Sequence, residues 1–361
     1  MKLAEFRKEM DKKGIDACLL TSKDPNFFYF LQQHVQEAIM LILAQGKPVI
    51  FISPLEQLNT RGFAVQNLNK DFPELLKKIV QRKRIRVLGI NESFLLTANY
   101  QKIRRIVKTR DLSQELNQLR SQKTPQEIKI FKHACTITCN IMNMVLADLQ
   151  KGKFRSEADI RTSLKIKTLM AGCELSFEPI IAHAISGAIP HYYGNKVLKR
   201  GFLIIDYGLK YKGYCTDITR TAYIGKPTPQ EVLLYQRVLA VQEKTIDFIK
   251  REYAKTGEVS APAVQKHADM LFGKDKKYFT HGIGHGLGIQ VHELPGFAPK
   301  LKHILSRGMV FTIEPGHYQK TGIRIEDDLC LGKSVEVLTK GVPKAFLAIN
   351  YRERSASLSL L

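Results

Sequence analysis

Two carboxylates stand beside apolar runs that ought to be buried. Phe202 to Ile205 is a branched apolar run that ends at Asp206, and Thr216 to Ile224 is a second run that carries Asp217. Tyr207 to Gly213, with Gly208 and two lysines, reads as a reversal between them. The two runs would then form a hairpin with one aspartate on each arm. A carboxylate closing a buried run is costly unless its charge is compensated. Two on one hairpin also repel, and a cation between them is the simplest remedy. Aspartates that merely cap turns are the alternative this stretch leaves open. Further along, His281, His285 and His292 fall in a glycine-rich run, Phe311 to Ile313 ends in Glu314, and Gly322 to Asp327 sets Glu326 on a strand-like alternation. Eight of the ten histidines lie between His183 and His317, which suggests one site within one domain.

The elements that must position these residues follow in order. Residues 2–13 fit a helix ended by Gly14, residues 15–20 a strand, and Phe27 to Leu31 is apolar enough to bury. Residues 38–44 and 48–52 read as strands joined through Gln45-Gly46-Lys47. Helices are expected over 71–81 and 95–107, with a strand over 85–90. This alternation makes an α/β unit in which His34 is the single histidine and no catalytic constellation appears. The boundary falls near Leu119 to Pro125. Thr124-Pro-Gln-Glu127 carries an N-cap, a proline at the first helical position and a glutamate at the third, so a long helix to Gln150 is expected. Ser156 and Asp159 repeat the logic for a helix to Ala171. A strand over 177–181, the central hairpin, helices over 230–253 and 261–272, and two further strands complete the chain.

The order Asp206, Asp217, His285, Glu314, Glu326, with these flanking words, resembles the pita-bread metallopeptidases. That family includes methionine aminopeptidase, Xaa-Pro aminopeptidase and Xaa-Pro dipeptidase (prolidase). The resemblance implies an α/β (α+β) chain: a small N-terminal creatinase-like α/β domain, residues 1–119, then a pita-bread catalytic domain with a curved antiparallel sheet, residues 120–361. It assigns Asp206 to one metal, His285 and Glu314 to the other, and Asp217 and Glu326 to shared coordination. Charge balance agrees, because four carboxylates match two divalent cations and a single cation would leave buried charge uncompensated. Manganese or cobalt suits the oxygen-rich shell, with zinc and iron as alternatives. The resemblance makes Glu314 the general base. It places His292 on the scissile carbonyl and has His191 contact the substrate or assist the leaving group. His281 would line the pocket, and Arg324, two residues before Glu326 on the same strand face, would orient the carboxylates from behind. His183, His303 and His317 match no motif and are expected in core or surface roles.

The first 115 or so residues favour the proline-directed branch, since methionine aminopeptidases generally lack such a domain. Creatinase-like relatives lose the metal ligands, whereas all five stand here. A bond to proline has no N–H, and a site that grips the free amine and the carbonyl can still process it. The expected activity is therefore release of an N-terminal residue that precedes proline, with a strict dipeptidase as the alternative. Some prolidases carry an arginine shortly after the His-Glu-x-Pro word; here His292-Glu293-Leu294-Pro295 is followed by Gly296-Phe297-Ala298, so longer peptides are expected as substrates. In relatives of this branch the N-terminal domain helps form a dimer, and a homodimer is expected. Gly282, Gly284, Gly286 and Gly288 resemble a phosphate loop, but the run lacks GxxxxGK[ST]; the glycines are expected to let backbone pass close to the metals.

Composition sets the remaining bounds. The longest apolar stretch, Ala38 to Ala44, is too short to span a bilayer, no N-terminal signal region appears, and a cytoplasmic protein is expected. The six cysteines form no CxxC pair; Cys135 and Cys139, one helical turn apart, read as helix-core thiols. The net charge of +22 is densest from Lys77, Lys78, Arg82, Lys83, Arg84 and Arg86 to Lys102, Arg104, Arg105, Lys108 and Arg110. No aromatic residues interleave the densest run, so a solvated face is expected rather than a nucleic-acid site. A non-catalytic pita-bread module that binds through its basic surface is the reading from another class, and the intact ligand set weighs against it.

Overall fold

Apolar runs alternating with charged amphipathic segments build a layered first unit. The computed structural model describes residues 2–58, 62–68 and 72–349. It divides into two units, Met1–Arg120 and Ser121–Leu361. The first contains α1 (Lys2–Lys12), β1 (Ala17–Thr21), α2 (Pro25–Leu31), β2 (Ala38–Leu43), β3 (Val49–Ile52), β4 (Ala64–Asn67), α3 (Phe72–Lys83), β5 (Val87–Ile90), α4 (Thr97–Arg104), β6 (Lys108–Asp111) and α5 (Ser113–Ser121). The strands form one sheet in the order β4-β3-β2-β1-β5-β6. The apolar run 27–31 is a helix because Asp24 accepts the Asn26 N–H at its N-cap and Pro25 opens it. The 38–52 hairpin forms as expected, with Gly46 at φ +89° in its turn. The helix expected over 95–107 is shorter, because the chain leaves it for β6. That strand is a polar edge, Lys-Thr-Arg-Asp, with no apolar run to announce it. Met1 and Asp71, the expected first residue of the third helix, lie outside the described residues.

In the second unit, capping boxes set where helices start. Thr124 with Glu127 opens α6 (Pro125–Gln150), Ser156 with Asp159 opens α7 (Glu157–Met170), and Thr228 with Glu231 opens α8 (Pro229–Thr256). Each N-cap side chain satisfies a backbone N–H that the helix cannot, a contribution of about 1 kcal/mol. Cys135 and Cys139 are buried along α6, as the spacing suggested. Strands β7 (Glu174–Leu175), β8 (Ile180–His183), β9 (Gly201–Tyr207), β10 (Leu209–Tyr211), β11 (Tyr214–Cys215) and β12 (Ile218–Ile224) precede α8. After it come β13 (Val259–Ser260), α9 (Ala261–Phe272), β14 (His285–Gly286), β15 (Glu293–Gly296), β16 (Ile304–Leu305), β17 (Val310–Ile313), β18 (Gly316–Tyr318), β19 (Gly322–Arg324), β20 (Asp327–Leu331), β21 (Val335–Val337) and β22 (Leu347–Ile349).

Two principal sheets result, β22-β12-β9-β8 and β15-β14-β17-β20-β21, antiparallel except where β22 joins β12. This mixed architecture, an α/β unit followed by a unit of antiparallel sheets backed by helices, has the α/β (α+β) layout expected from the sequence. The first sheet packs with α6 and α7 around Phe154, Leu164, Leu203 and Ile205. The second packs with α8 and α9 around Val264, Phe279, Phe311 and Leu329. The central hairpin pairs β9 with β12 along its full length, Gly201↔Ile224 through Tyr207↔Ile218. Its connection is more than a reversal. β10 and β11 peel away into a small sheet with β7 and turn through Lys212 and Gly213, both at positive φ. Among the described residues, no helix is long and apolar enough to cross a membrane.

Candidate metal centre

Four of the five expected ligands sit at a strand end or just beyond one, where a side chain can leave the sheet, and the fifth, Asp206, is one residue short of it. Asp206 is the penultimate residue of β9, opposite Thr219. Asp217 immediately precedes β12, and its N–H is donated to Asp328 Oδ2 at 3.1 Å. His285 opens β14 and donates its N–H to Thr312 Oγ1 at 3.1 Å. Glu314 follows β17 and donates its N–H to the Ile283 carbonyl at 2.8 Å, while Glu326 donates to the Thr219 carbonyl at 3.1 Å. The first sheet thus supplies two acids, and the second supplies the imidazole and Glu314. Glu326 lies between β19 and β20.

These residues converge on a cavity of about 530 Å³ lined by Asp206, Asp217, His285, Glu314 and Glu326, and also by His191, His281, His292 and Arg324. Ligand atoms of Asp217, His285 and Glu326 all lie within 4.8 Å of one another. His285 Nε2 is 3.7 Å from Asp217 Oδ2 and 3.5 Å from Glu314 Oε1. The His292 ring stands edge-on to that of His285, centroids 4.2 Å apart. Arg324 forms an ion pair with Asp206 and donates to Thr219 Oγ1 and to the Tyr318 hydroxyl. It does so from a different position than expected. β19 ends at Arg324, so Arg324 and Glu326 do not share a strand face.

The electrostatics are those of a cation site. Burial pushes the Glu314 carboxyl up to about 8, against the pull of Arg324. Burial and then repulsion from neighbouring acids, Glu326 on Asp217 and Glu314 on Glu326, raise both well above the carboxylate range. Burial, reinforced by His292, pushes His285 down to about 3 and so keeps it neutral, the form that ligates metals. Asp206 Oδ1, Asp217 Oδ1 and Glu326 Oε1 are buried without a hydrogen-bond partner among the described residues. Carboxylate oxygens rarely remain so in a folded protein. Four carboxylates and a neutral imidazole with acceptor oxygens to spare fit a pair of divalent cations.

Two groups of residues escaped the sequence reading. Tyr318 links the site internally. Its hydroxyl accepts from Arg324 Nη1 at 2.9 Å and donates to His281 Nε2 at 2.8 Å, while His281 Nδ1 lies 2.8 Å from the Gly282 carbonyl. Behind the ligands lies a second buried ionic cluster. Arg220 Nη2 donates to Asp327 Oδ1 at 2.8 Å and Nη1 donates to the Glu326 carbonyl at 2.6 Å. Gln242 donates to Asp327 Oδ2 at 2.9 Å, Lys344 Nζ lies 3.1 Å from the same oxygen, and Thr339 donates to Oδ1 at 2.8 Å. Arginine inside the otherwise uncharged run Ile218 to Ile224 was the available signal, since a buried charge demands a partner. The glycines serve a different purpose from the one expected. A Cβ at Gly284 would strike the Thr312 carbonyl, at Gly286 the Leu294 carbonyl and at Gly288 the Glu293 carboxylate. The run is glycine-rich so that neighbouring strands can close on it. Of the unassigned histidines, His183 and His317 are buried, and His303 Nδ1 accepts the Gly296 N–H.

Comparison with known proteins bears on both units. The model of metallopeptidase family M24 matches residues 129–333, and that of the creatinase/prolidase N-terminal domain matches residues 2–122. A protein of Mycoplasma pneumoniae named putative Xaa-Pro aminopeptidase is 33% identical, over 96% of this chain and 98% of its own. One of Pyrococcus horikoshii named Xaa-Pro dipeptidase is 30% identical, over 92% of this chain and 94% of its own. The solved structure of a Bacillus anthracis Xaa-Pro dipeptidase matches with a TM-score of 0.87 at 28% identity, covering 96% of this chain and 99% of that one.

Proposed function

Because the chain belongs to metallopeptidase family M24, and is thereby a metal-binding hydrolase, we propose that it releases the N-terminal residue of peptides whose second residue is proline. The convergence of nine expected residues on one cavity carries this reading. Asp206, Asp217, His285, Glu314 and Glu326 would hold two divalent ions, manganese or cobalt before zinc or iron. When bound, such a pair lowers the pKa of water and polarises a carbonyl. Glu314, whose carboxylate stands 3.5 Å from His285 Nε2 on the cavity wall, takes the proton of the attacking water. His292, neutral because burial lowers its pKa, donates to the carbonyl oxygen as negative charge develops there. His191 meets the leaving proline, and His281, held by Tyr318, shapes the wall beside Glu314, whose Oε2 lies 3.8 Å from His281 Nδ1. Arg324 fixes Asp206 through its ion pair. The catalytic domain is taken to begin at residue 120, following an N-terminal domain over 1–119. The functional form is taken to be a cytoplasmic homodimer.

Strict dipeptidase action is the second reading, favoured by the names that several relatives carry. A dipeptide presents a free carboxylate on its second residue, and a cation rewards it. Among the described residues, Arg324 is the one lysine or arginine that lines the cavity, and it is committed to Asp206 and Tyr318. We therefore place longer peptides ahead of dipeptides. Parallel assays of Gly-Pro and of an Xaa-Pro-Pro tripeptide decide the matter. Faster turnover of the tripeptide is expected, and turnover of the dipeptide alone would reverse the order. Cleavage of Met-Ala-Ser with neither proline peptide touched would move the activity to another branch of the family.

A further inference from the structure

Charge in the first unit is concentrated in one segment. Residues 1–76 carry nine basic and nine acidic side chains; residues 77–110 carry eleven basic ones and a single acid, Glu92. All eleven are exposed. The structure gathers them. α3 buries Leu76 and Ile79, and α4 buries Ile103, in one core with Leu88 and Ile90 of β5. Both helices therefore lie on the same face of the sheet. Their outer sides carry Lys77, Lys78 and Arg82 on α3, Lys102 and Arg104 on α4, and Arg105 just beyond it. Among the described residues, none of these six has an ion-pair partner, and Glu74 is the one exposed acid on either helix. Such a cluster repels itself, and folding alone gives no reason to assemble it.

We propose that this face of the N-terminal unit binds the phosphate backbone of a nucleic-acid duplex, alongside the peptidase activity of the other unit. The sequence points to a solvated face; what the structure adds is the gathering of exposed cations on one side of the sheet, and several features select a duplex as their partner. Single strands are gripped by stacking on exposed aromatics, and Tyr100, the aromatic residue of α4, packs into the core instead. A helix that inserts into lipid offers it an apolar side, and the apolar sides of α3 and α4 are spent on the sheet, which leaves charge alone to hold a membrane. A duplex asks only for a broad array of cations that match its phosphates, without base readout.

The test uses the full-length, metal-reconstituted protein and fluorescent RNA and DNA duplexes of roughly 20 base pairs, titrated between about 50 and 200 mM KCl. Affinity should fall with salt with a log–log slope of about −0.9 per DNA phosphate contacted. The combined variant Lys78→Gln, Arg82→Gln, Lys102→Gln, Arg105→Gln should lose at least about 100-fold in duplex affinity and flatten the slope by up to about 3.6, with peptide hydrolysis unchanged. A control with Lys129→Gln, Lys226→Gln, Lys266→Gln and Lys340→Gln, all exposed on the other unit, should bind as the parent does. The RNA and DNA arms identify which duplex is preferred. Equal weakening in both variants, no duplex binding at about 100 mM salt, or tighter binding of single-stranded RNA, polyglutamate or phosphatidylserine vesicles would overturn the proposal.

Discussion

Glu326 and Asp327 are consecutive, both almost wholly buried, and treated in opposite ways. Asp327 has every requirement of a buried anion met: Arg220, Lys344, Gln242 and Thr339 surround it. Burial alone would raise its pKa, yet Arg220 and Lys344 hold it below the carboxylate range. Among the described residues, Glu326 receives one side-chain hydrogen bond, 2.7 Å from Thr219 Oγ1, and keeps an unpartnered oxygen; it is pushed upward by burial and by Glu314 and Asp206. The contrast separates these two neighbouring acids by what surrounds them. The structural acid is satisfied by the protein's own cations, and the ligand set remains short of positive charge until something from outside supplies it.

The largest effect should come from breaking the unsatisfied cluster. Asp217→Asn or Glu326→Gln should abolish metal retention and peptidase activity together, while circular dichroism stays native. Metal analysis that finds normal occupancy with normal turnover would mean these acids are not ligands. Asp327→Asn should do the reverse. It leaves Arg220 and Lys344 without their carboxylate, at a cost of about 3–5 kcal/mol in denaturant unfolding, while folded molecules still bind metal. Equal stability would mean that Asp327 is not structural. Between these, His292→Ala should keep both the fold and the metals and lose roughly 100- to 1000-fold in kcat, the worth of one donor to a developing oxyanion. Loss of metal in that variant would show that the roles of His292 and His285 had been exchanged.

The smallest effect is a pH dependence that sharpens the comparison. In the metal-free protein Glu314 is raised from an ordinary 4.5 to about 8. The folded state then holds a proton that the unfolded chain has already released, so metal-free stability falls as pH rises through that window. Cations favour the ionised carboxylates and reverse the trend. The Tm difference between loaded and chelated protein should therefore widen from pH 5 towards pH 8. A constant difference would mean that the acids are ionised without metal.

What sequence could reveal here followed from local cost. An apolar run ending in a carboxylate is expensive wherever it folds, so Asp206 and Glu314 were legible before any tertiary contact was known. The capping boxes at Thr124 and Ser156 were legible for the same reason, since cap and partner are three residues apart. Tyr318 was not, because its two hydrogen bonds reach His281, in the loop before β14, and Arg324, at the end of β19, and tyrosine carries no mark of that use. The β10–β11 excursion was hidden because its pairing partner, β7, lies 34 to 36 residues upstream, Leu209 opposite Leu175 and Lys210 opposite Glu174. Arg220 was visible but went unread, although its burial implied Asp327.

The division of the ligands between two separately packed halves also bears on time. Asp206 and Asp217 stand on the sheet backed by α6 and α7, and His285 and Glu314 on the sheet backed by α8 and α9. A partly folded chain with one half formed has at most two of these four in place and cannot bind as the native state does. Ions held across both halves would therefore stabilise the native state more than the transition state, and their effect would fall on the unfolding rate. With metal at about 1,000 times its Kd the native state gains about 4 kcal/mol, enough to slow unfolding by roughly a thousandfold. Removal of metal would then shorten the lifetime of the native state, and with it resistance to proteolysis, while the rate of refolding would scarcely change.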